Sequence, residues 1–276
     1  MAEDKALPIS TSTPPAFPAE QRHLFVEVLT LMNERRVPYI VSGAFALQKH
    51  TGIWRNTKDL DLFMAPDEVP SALAELDNAG LKTEICDPVW LYKAHRNGYY
   101  VDIITGMSNA VITVDSSWVE RAIDSSILGV PSKVLAAEEL IASKLFVTRR
   151  ERFDGADIAH VIHGTRGHLD WDRVLHLLGE HWGIVLWAMM LFQYIYPAQS
   201  NYIPRRVWDD LLGRLRRELD HPNPRADFRG SLLDEFMFAI DVHEWGMANL
   251  IERYRAQRET HLPPVPCDPE PASDAA

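Results

Sequence analysis

Cysteine is nearly missing from this sequence: two residues in 276, Cys86 in the interior and Cys267 in a Pro-rich tail. Neither has metal-ligand spacing and together they make no disulfide framework, so a reducing, cytoplasmic setting is expected. Positive charge is also in short supply. Lys and Arg number 28 against 39 Asp and Glu, for a formal net charge of -11 and a pI near 5.4. That balance excludes bulk DNA or RNA binding driven by overall charge. No long apolar run is present. The longest, Trp182 to Tyr196, is shorter than the roughly 20 residues needed to span a bilayer. It reads as a buried helix, and no membrane partner is expected. Residues 1–18 mix Pro, Ser, Thr and charge without the apolar core of a signal peptide.

What is there is a globular composition, 46% hydrophobic and 24% charged, long enough for one large or two modest domains. Pro8, Pro14, Pro15 and Pro18 mark residues 1–18 as a disordered tail. Leu24, Val28, Leu31 and Met32 recur at helical spacing up to about Arg36. Pro38 then precedes an apolar strand, Tyr39 to Val41. Ala44 to His50 suits a short helix stopped by Gly52, and a further helix follows Pro66 and ends at Gly80. Asn97-Gly98 between two β-prone runs, Trp90 to Arg96 and Tyr99 to Ile104, predicts a hairpin with a type I′ turn. Ala110–Val114 and Ser126–Val130 are weaker β-prone pieces. From Ala136 onward the pattern is helical, with helices expected at 137–145, 154–162, 170–178, 182–196, 205–219 and 231–258. The expected organisation is α+β: a small mixed-sheet domain at 19–135, an all-helical domain at 136–262 and a disordered acidic tail at 263–276.

The chemistry concentrates in one stretch, Ser42-Gly43-Ala44 through Lys58-Asp59-Leu60-Asp61-Leu62. In a strand, Asp59 and Asp61 share one face while Leu60 and Leu62 take the other. Two carboxylates about 4 Å apart repel by about 4 kcal/mol at an effective dielectric of 20. A divalent ion removes that cost, and Mg²⁺ is commonly held by one or two carboxylates plus substrate phosphates. The small residues upstream let backbone N–H groups approach a phosphate at a helix N-terminus. On the returning hairpin strand, Asp102 supplies a third carboxylate that can stand beside the other two.

Ser42-Gly43-Ala44, Arg55-x-Thr57-Lys58-Asp59-Leu60-Asp61-Leu62 and Val101-Asp102-Ile103 together resemble the minimal nucleotidyltransferase fold of the DNA polymerase beta type. Lys144 and the run Arg152-Phe153-Asp154-Gly155-Ala156-Asp157 are similar to downstream motifs in the bacterial abortive-infection and antibiotic nucleotidyltransferase-like branch. The turn departs from the family form in reading Ser-Gly-Ala, so Ala44 offers no hydroxyl. The resemblance implies metal-dependent transfer of a nucleoside monophosphate, AMP in the first instance, from an NTP to an acceptor, with release of pyrophosphate. It implies Asp59, Asp61 and Asp102 as catalytic and metal-holding residues for Mg²⁺ or Mn²⁺. Ser42, Gly43, Arg55, Lys58 and Lys144 are implied as binding the nucleotide, expected to be ATP. The acceptor is open among a small molecule, a tRNA and a protein. Three alternatives stand beside this: a toxin-type transferase acting on tRNA or protein, a nucleotide- or partner-binding protein without turnover on the same scaffold, and metal-dependent phosphohydrolysis with no acceptor labelled.

Other motifs carry less. His243-Glu244-Trp245-Gly246-Met247 begins like a zinc-protease helix but lacks its second histidine. The arginines at 149, 150, 152, 214, 216 and 217 are expected on solvated helix faces; clustering of Arg149, Arg150, Arg214 and Arg217 around the aspartates would favour a tRNA acceptor. Trp171, Trp182, Trp187, Trp208 and Trp245 are expected in the core.

Overall fold

A computed structural model describes residues 9–10 and 16–258. In chain order it contains β1 (Ile9–Ser10), α1 (Ala19–Arg35), β2 (Ile40–Val41), α2 (Gly43–Thr51), β3 (Trp54–Arg55), β4 (Asp59–Phe63) and α3 (Val69–Asn78). A meander follows, β5 (Lys82–Asp87), β6 (Leu91–Arg96) and β7 (Tyr99–Ile104), then α4 (Ser116–Arg121) and the hairpin β8 (Ile123–Ile127) and β9 (Val130–Val134). The remainder is helical: α5 (Ala137–Lys144), α6 (Gly155–Gly164), α7 (Trp171–Leu178), α8 (Trp182–Ile195), α9 (Arg205–Asp220), α10 (Gly230–Leu233), α11 (Ala239–His243) and α12 (Leu250–Ala256). The fold is α+β, with a mixed sheet in the first half and helices in the second.

The sheet runs β5-β6-β7-β4-β2-β9-β8. β4 and β7 are parallel neighbours, as are β2 and β9, and the other pairs are antiparallel. Alternation along β4 and β7 separates core from chemistry. Leu60, Leu62, Val101 and Ile103 are fully buried, each contributing about 1.5–3 kcal/mol by leaving water. The odd-numbered residues of β4 and even-numbered residues of β7 lie on the opposite face. Asn97 (φ 55) and Gly98 (φ 80) both take the left-handed conformation the predicted hairpin turn needs.

Several expectations are corrected. The helix expected over 231–258 is three short ones, α10, α11 and α12. The Asp234 carboxylate accepts from the backbone N–H groups of Arg150, Phe236 and Met237, Gly246 turns the chain at φ 71, and the Asn249 side chain caps α12 by accepting from Ile251 N–H. Ser126–Val130 is not one strand but the turn of the β8–β9 hairpin, with Leu128 (φ 52) and Gly129 (φ 93) at its tip. Ala110–Val114 contributes only an isolated bridge, Gly106 with Thr113. Lys82–Asp87 is an unexpected strand. Within the N-terminal tail, Ile9–Ser10 pair antiparallel with Trp54–Arg55; the tail at 263–276 lies outside the described residues. Cys86 lies half-buried on β5, and Cys267 lies outside the described residues.

The apolar stretch at 182–196 forms α8, with Val185, Leu186, Ala188, Met189 and Phe192 buried. Trp171–Ile195 is by length and composition apolar enough to cross a membrane, though Gly179 (φ 49) interrupts it and α8 packs on α6, α7 and α9. Trp171 is core and Trp182 and Trp208 pack against it, whereas Trp187 and Trp245 are exposed.

Candidate active site

The parallel pairing of β4 with β7 sets Asp61 directly opposite Asp102, and Asp59 two residues earlier on the same face. One carboxylate oxygen from each of the three lies within 4.8 Å of the others. Thr57 Oγ1 donates to Asp59 Oδ1 at 2.6 Å and fixes that carboxylate. On the other side of β4, the Ser42 backbone N–H donates to the Asp61 backbone oxygen at 2.9 Å, which brings the start of α2 against β4. Gly43, the first residue of α2, has φ 56, and a Cβ there would fall 1.7 Å from Asp61 Oδ2. Only glycine lets this helix start so close to the carboxylate.

Crowding has an electrostatic result. The Asp61 carboxyl is pushed up to about 7, first by burial and then by the negative charges of Asp59 and Asp102, with Lys144 and Arg152 pulling the other way. The three carboxylates are held together against their mutual repulsion, which a further cation among them would relieve. The donors are all carboxylate oxygens, the set that suits a hard divalent ion such as Mg²⁺ or Mn²⁺. The residues therefore fit a divalent metal.

The aspartates open into a cavity of about 380 Å³. It brings together seven of the eight residues singled out from the sequence: Ser42, Gly43, Arg55, Asp59, Asp61, Asp102 and Lys144. Lys58 is exposed and does not line it. Phe63, Trp90, Ile104, Met107 and Phe146 give it apolar lining as well.

Two of the expected phosphate ligands are engaged within the protein. Arg55 donates both Nη groups to Asp157, one of them at 3.1 Å. Lys144 Nζ, buried, lies 2.7 Å from Asp154 and 2.8 Å from Asp157. Arg152 also donates to Asp154, through Nε and Nη2 at 3.2 Å. Burial alone would raise the Asp154 carboxyl, but Lys144 and Arg152 outweigh it and hold it below the ordinary value. Arg152 is held above its ordinary value because Asp154, Asp61 and Asp59 outweigh the opposing effect of burial. Thus three cations share two carboxylates, and the surplus positive charge faces the aspartate triad.

Sequence reasoning missed Lys93 on β6. It is the register partner of Asp102, and its Nζ lies 3.7 Å from Asp102 Oδ1. Counting outward from the Asn97-Gly98 turn, four residues back against four forward, pairs the two and could have found it. The arginines do not cluster: Arg149 lines the cavity and bonds Ser108, while Arg214 pairs with Asp210 on α9.

A family model described as nucleotidyltransferase of unknown function (DUF6036) matches residues 22–194. No curated protein matches the sequence. Among solved structures the chain is similar to the antibiotic-resistance factor ANT(2'')-Ia, at 16% identity over 67% of this chain and 98% of that one, with a TM-score of 0.38. It is similar to the lincosamide antibiotic adenylyltransferase LnuA, lincomycin-bound, at 14% identity over 52% and 96%, with a TM-score of 0.37. A third likeness is to an antigenic nucleotidyltransferase-like protein from Paracoccidioides brasiliensis, at 14% identity over 67% and 92%, with a TM-score of 0.43.

Proposed function

The chain belongs to the nucleotidyltransferase family of unknown function (DUF6036), whose match spans more than half of its length, and from that premise we propose that it transfers AMP from ATP to an acceptor hydroxyl in a metal-dependent reaction. The observation that carries this is the convergence of Asp59, Asp61 and Asp102 beside the start of α2. Asp59, Asp61 and Asp102 would hold a divalent ion, which would supply charge neutralisation at the phosphate under attack. Asp102, on the side of β4 away from α2, receives the proton of the acceptor hydroxyl. The acceptor oxygen bonds to the α-phosphorus, the bond from that phosphorus to the bridging oxygen breaks, and pyrophosphate leaves. The backbone at Ser42 and Gly43 cradles the triphosphate, and Arg152 with Lys144 faces the negative charge of the outer phosphates. Arg55 holds Asp157, and through it Lys144, in place.

The acceptor is a small molecule, a tRNA end or a protein hydroxyl. The scattering of the arginines weighs against tRNA, since Arg214 turns to Asp210 rather than to the aspartates. The test is pyrophosphate release with Mg²⁺ and each of the four NTPs, with and without cell extract, comparing wild type with Asp61→Ala. Release with ATP that needs extract and disappears in the variant is the expected result, and labelled ATP then marks the acceptor fraction. ATP binding with metal but no release under any condition overturns the transferase reading in favour of a binding protein.

A further inference from the structure

Asp102 has two neighbours across the sheet, and they differ in charge. On one side stands Asp61 in β4, on the other Lys93 in β6, each its direct register partner. Lys93 Nζ is 3.7 Å from Asp102 Oδ1 and 5.4 Å from the centre of the Tyr100 ring. Its side chain is only 12% exposed, so water screens this pair weakly. Because Lys93 does not line the cavity, it meets the site through Asp102 rather than through a ligand. Glu84, the next register partner along this row on β5, accepts from His95 at 2.7 Å and pairs with Lys82 at 2.7 Å.

We propose that Lys93 is a positioning residue for Asp102: it draws one carboxylate oxygen toward β6 and leaves the other directed at Asp61. It also places a fixed positive charge behind the triad, weakening metal binding there until a nucleotide adds its own phosphates. This inference rests on the metal-dependent reading above. A rigid cation on the far side of a ligand carboxylate raises the precision of that ligand and lowers the charge available to an ion.

The test uses the full chain and Mn²⁺ without nucleotide, followed by electron paramagnetic resonance, together with pyrophosphate release in the extract assay. Lys93→Met is expected to bind Mn²⁺ about three- to tenfold more tightly, the scale of one partly screened charge at this distance. The same variant is expected to lose about 10–100-fold in kcat, the usual effect of removing a residue that orients a ligand, with KM for ATP unchanged. Lys93→Arg keeps charge and contact and restores both properties. A purely structural role lowers the melting temperature without tightening Mn²⁺, and that outcome overturns the proposal. So does a Lys93→Arg variant as impaired as Lys93→Met. If wild type binds no more Mn²⁺ than Asp61→Ala even with ATP present, the metal-dependent reading fails and takes this inference with it. Mn²⁺ binding by wild type that Lys93→Met leaves unchanged removes the inference alone.

Discussion

Gly43 is the residue with least freedom to change. An alanine there carries about 1–3 kcal/mol of backbone strain at positive φ, and its Cβ needs the place held by Asp61 Oδ2. Gly43→Ala is expected to abolish pyrophosphate release while lowering the melting temperature by only a few degrees, as checked by scanning calorimetry beside the assay. Asp61 gives a second test, in pH. Its folded-state pKa of about 7 lies above the ordinary 3.8, so between these values the folded protein holds a proton that the unfolded chain has released. Stability contributed by Asp61 therefore falls as pH rises from about 4 to 7. Asp61→Asn is expected to raise the melting temperature at pH 8 and not at pH 4 in metal-free buffer, and added Mg²⁺ to raise that of wild type at pH 8. Equal melting temperatures for the two proteins at both pH values would contradict the burial and crowding described for this carboxylate. At this scale the sequence made the three aspartates legible, because each interrupts an apolar strand on one face only. The state of Arg55 was not legible. Its partner Asp157 is 102 positions away, and no local pattern reveals that a surface-compatible arginine is tied to a buried carboxylate.

Among the elements, those with strong local signals came through and those shaped by their surroundings did not. α1, α2, α3 and the β6–β7 hairpin carry apolar spacing and stop residues of their own, and the observed bounds differ from the expected ones by a residue or two. β5 has no such mark. As an edge strand of mixed polarity, Lys-Thr-Glu-Ile-Cys-Asp, it is identified by pairing with β6 rather than by its residues. The β8–β9 turn places Leu128 at positive φ, a conformation leucine does not announce. The break-up of the last expected helix depends on Asp234 capping the backbone of Arg150, a contact made across the fold. Parallel pairing of β4 with β7 was likewise out of reach of the sequence as a register, although the placement of Asp102 beside the pair could be anticipated from the face it occupies.

For the molecule as a whole, the helical half reaches back to the sheet. Arg255 of α12 forms a two-pronged pair with Asp87 at 2.8 and 2.9 Å, and Asp87 also accepts from Trp90 Nε1 at 3.1 Å. Trp90 lines the cavity, so α12 steadies a wall of the site without touching it. Arg255→Ala is expected to cost about 1 kcal/mol of stability, the scale of a partly exposed ion pair, and to raise KM while leaving the aspartates' Mn²⁺ affinity unchanged; paired steady-state kinetics and Mn²⁺ titration check this. The clamp also sets an order of events during synthesis. The strands bearing Asp59, Asp61 and Asp102 leave the ribosome well before Arg255 does, so a growing chain carries its acidic triad beside an unbraced Trp90. The brace on that wall is added last, when α12 has emerged and Arg255 meets Asp87.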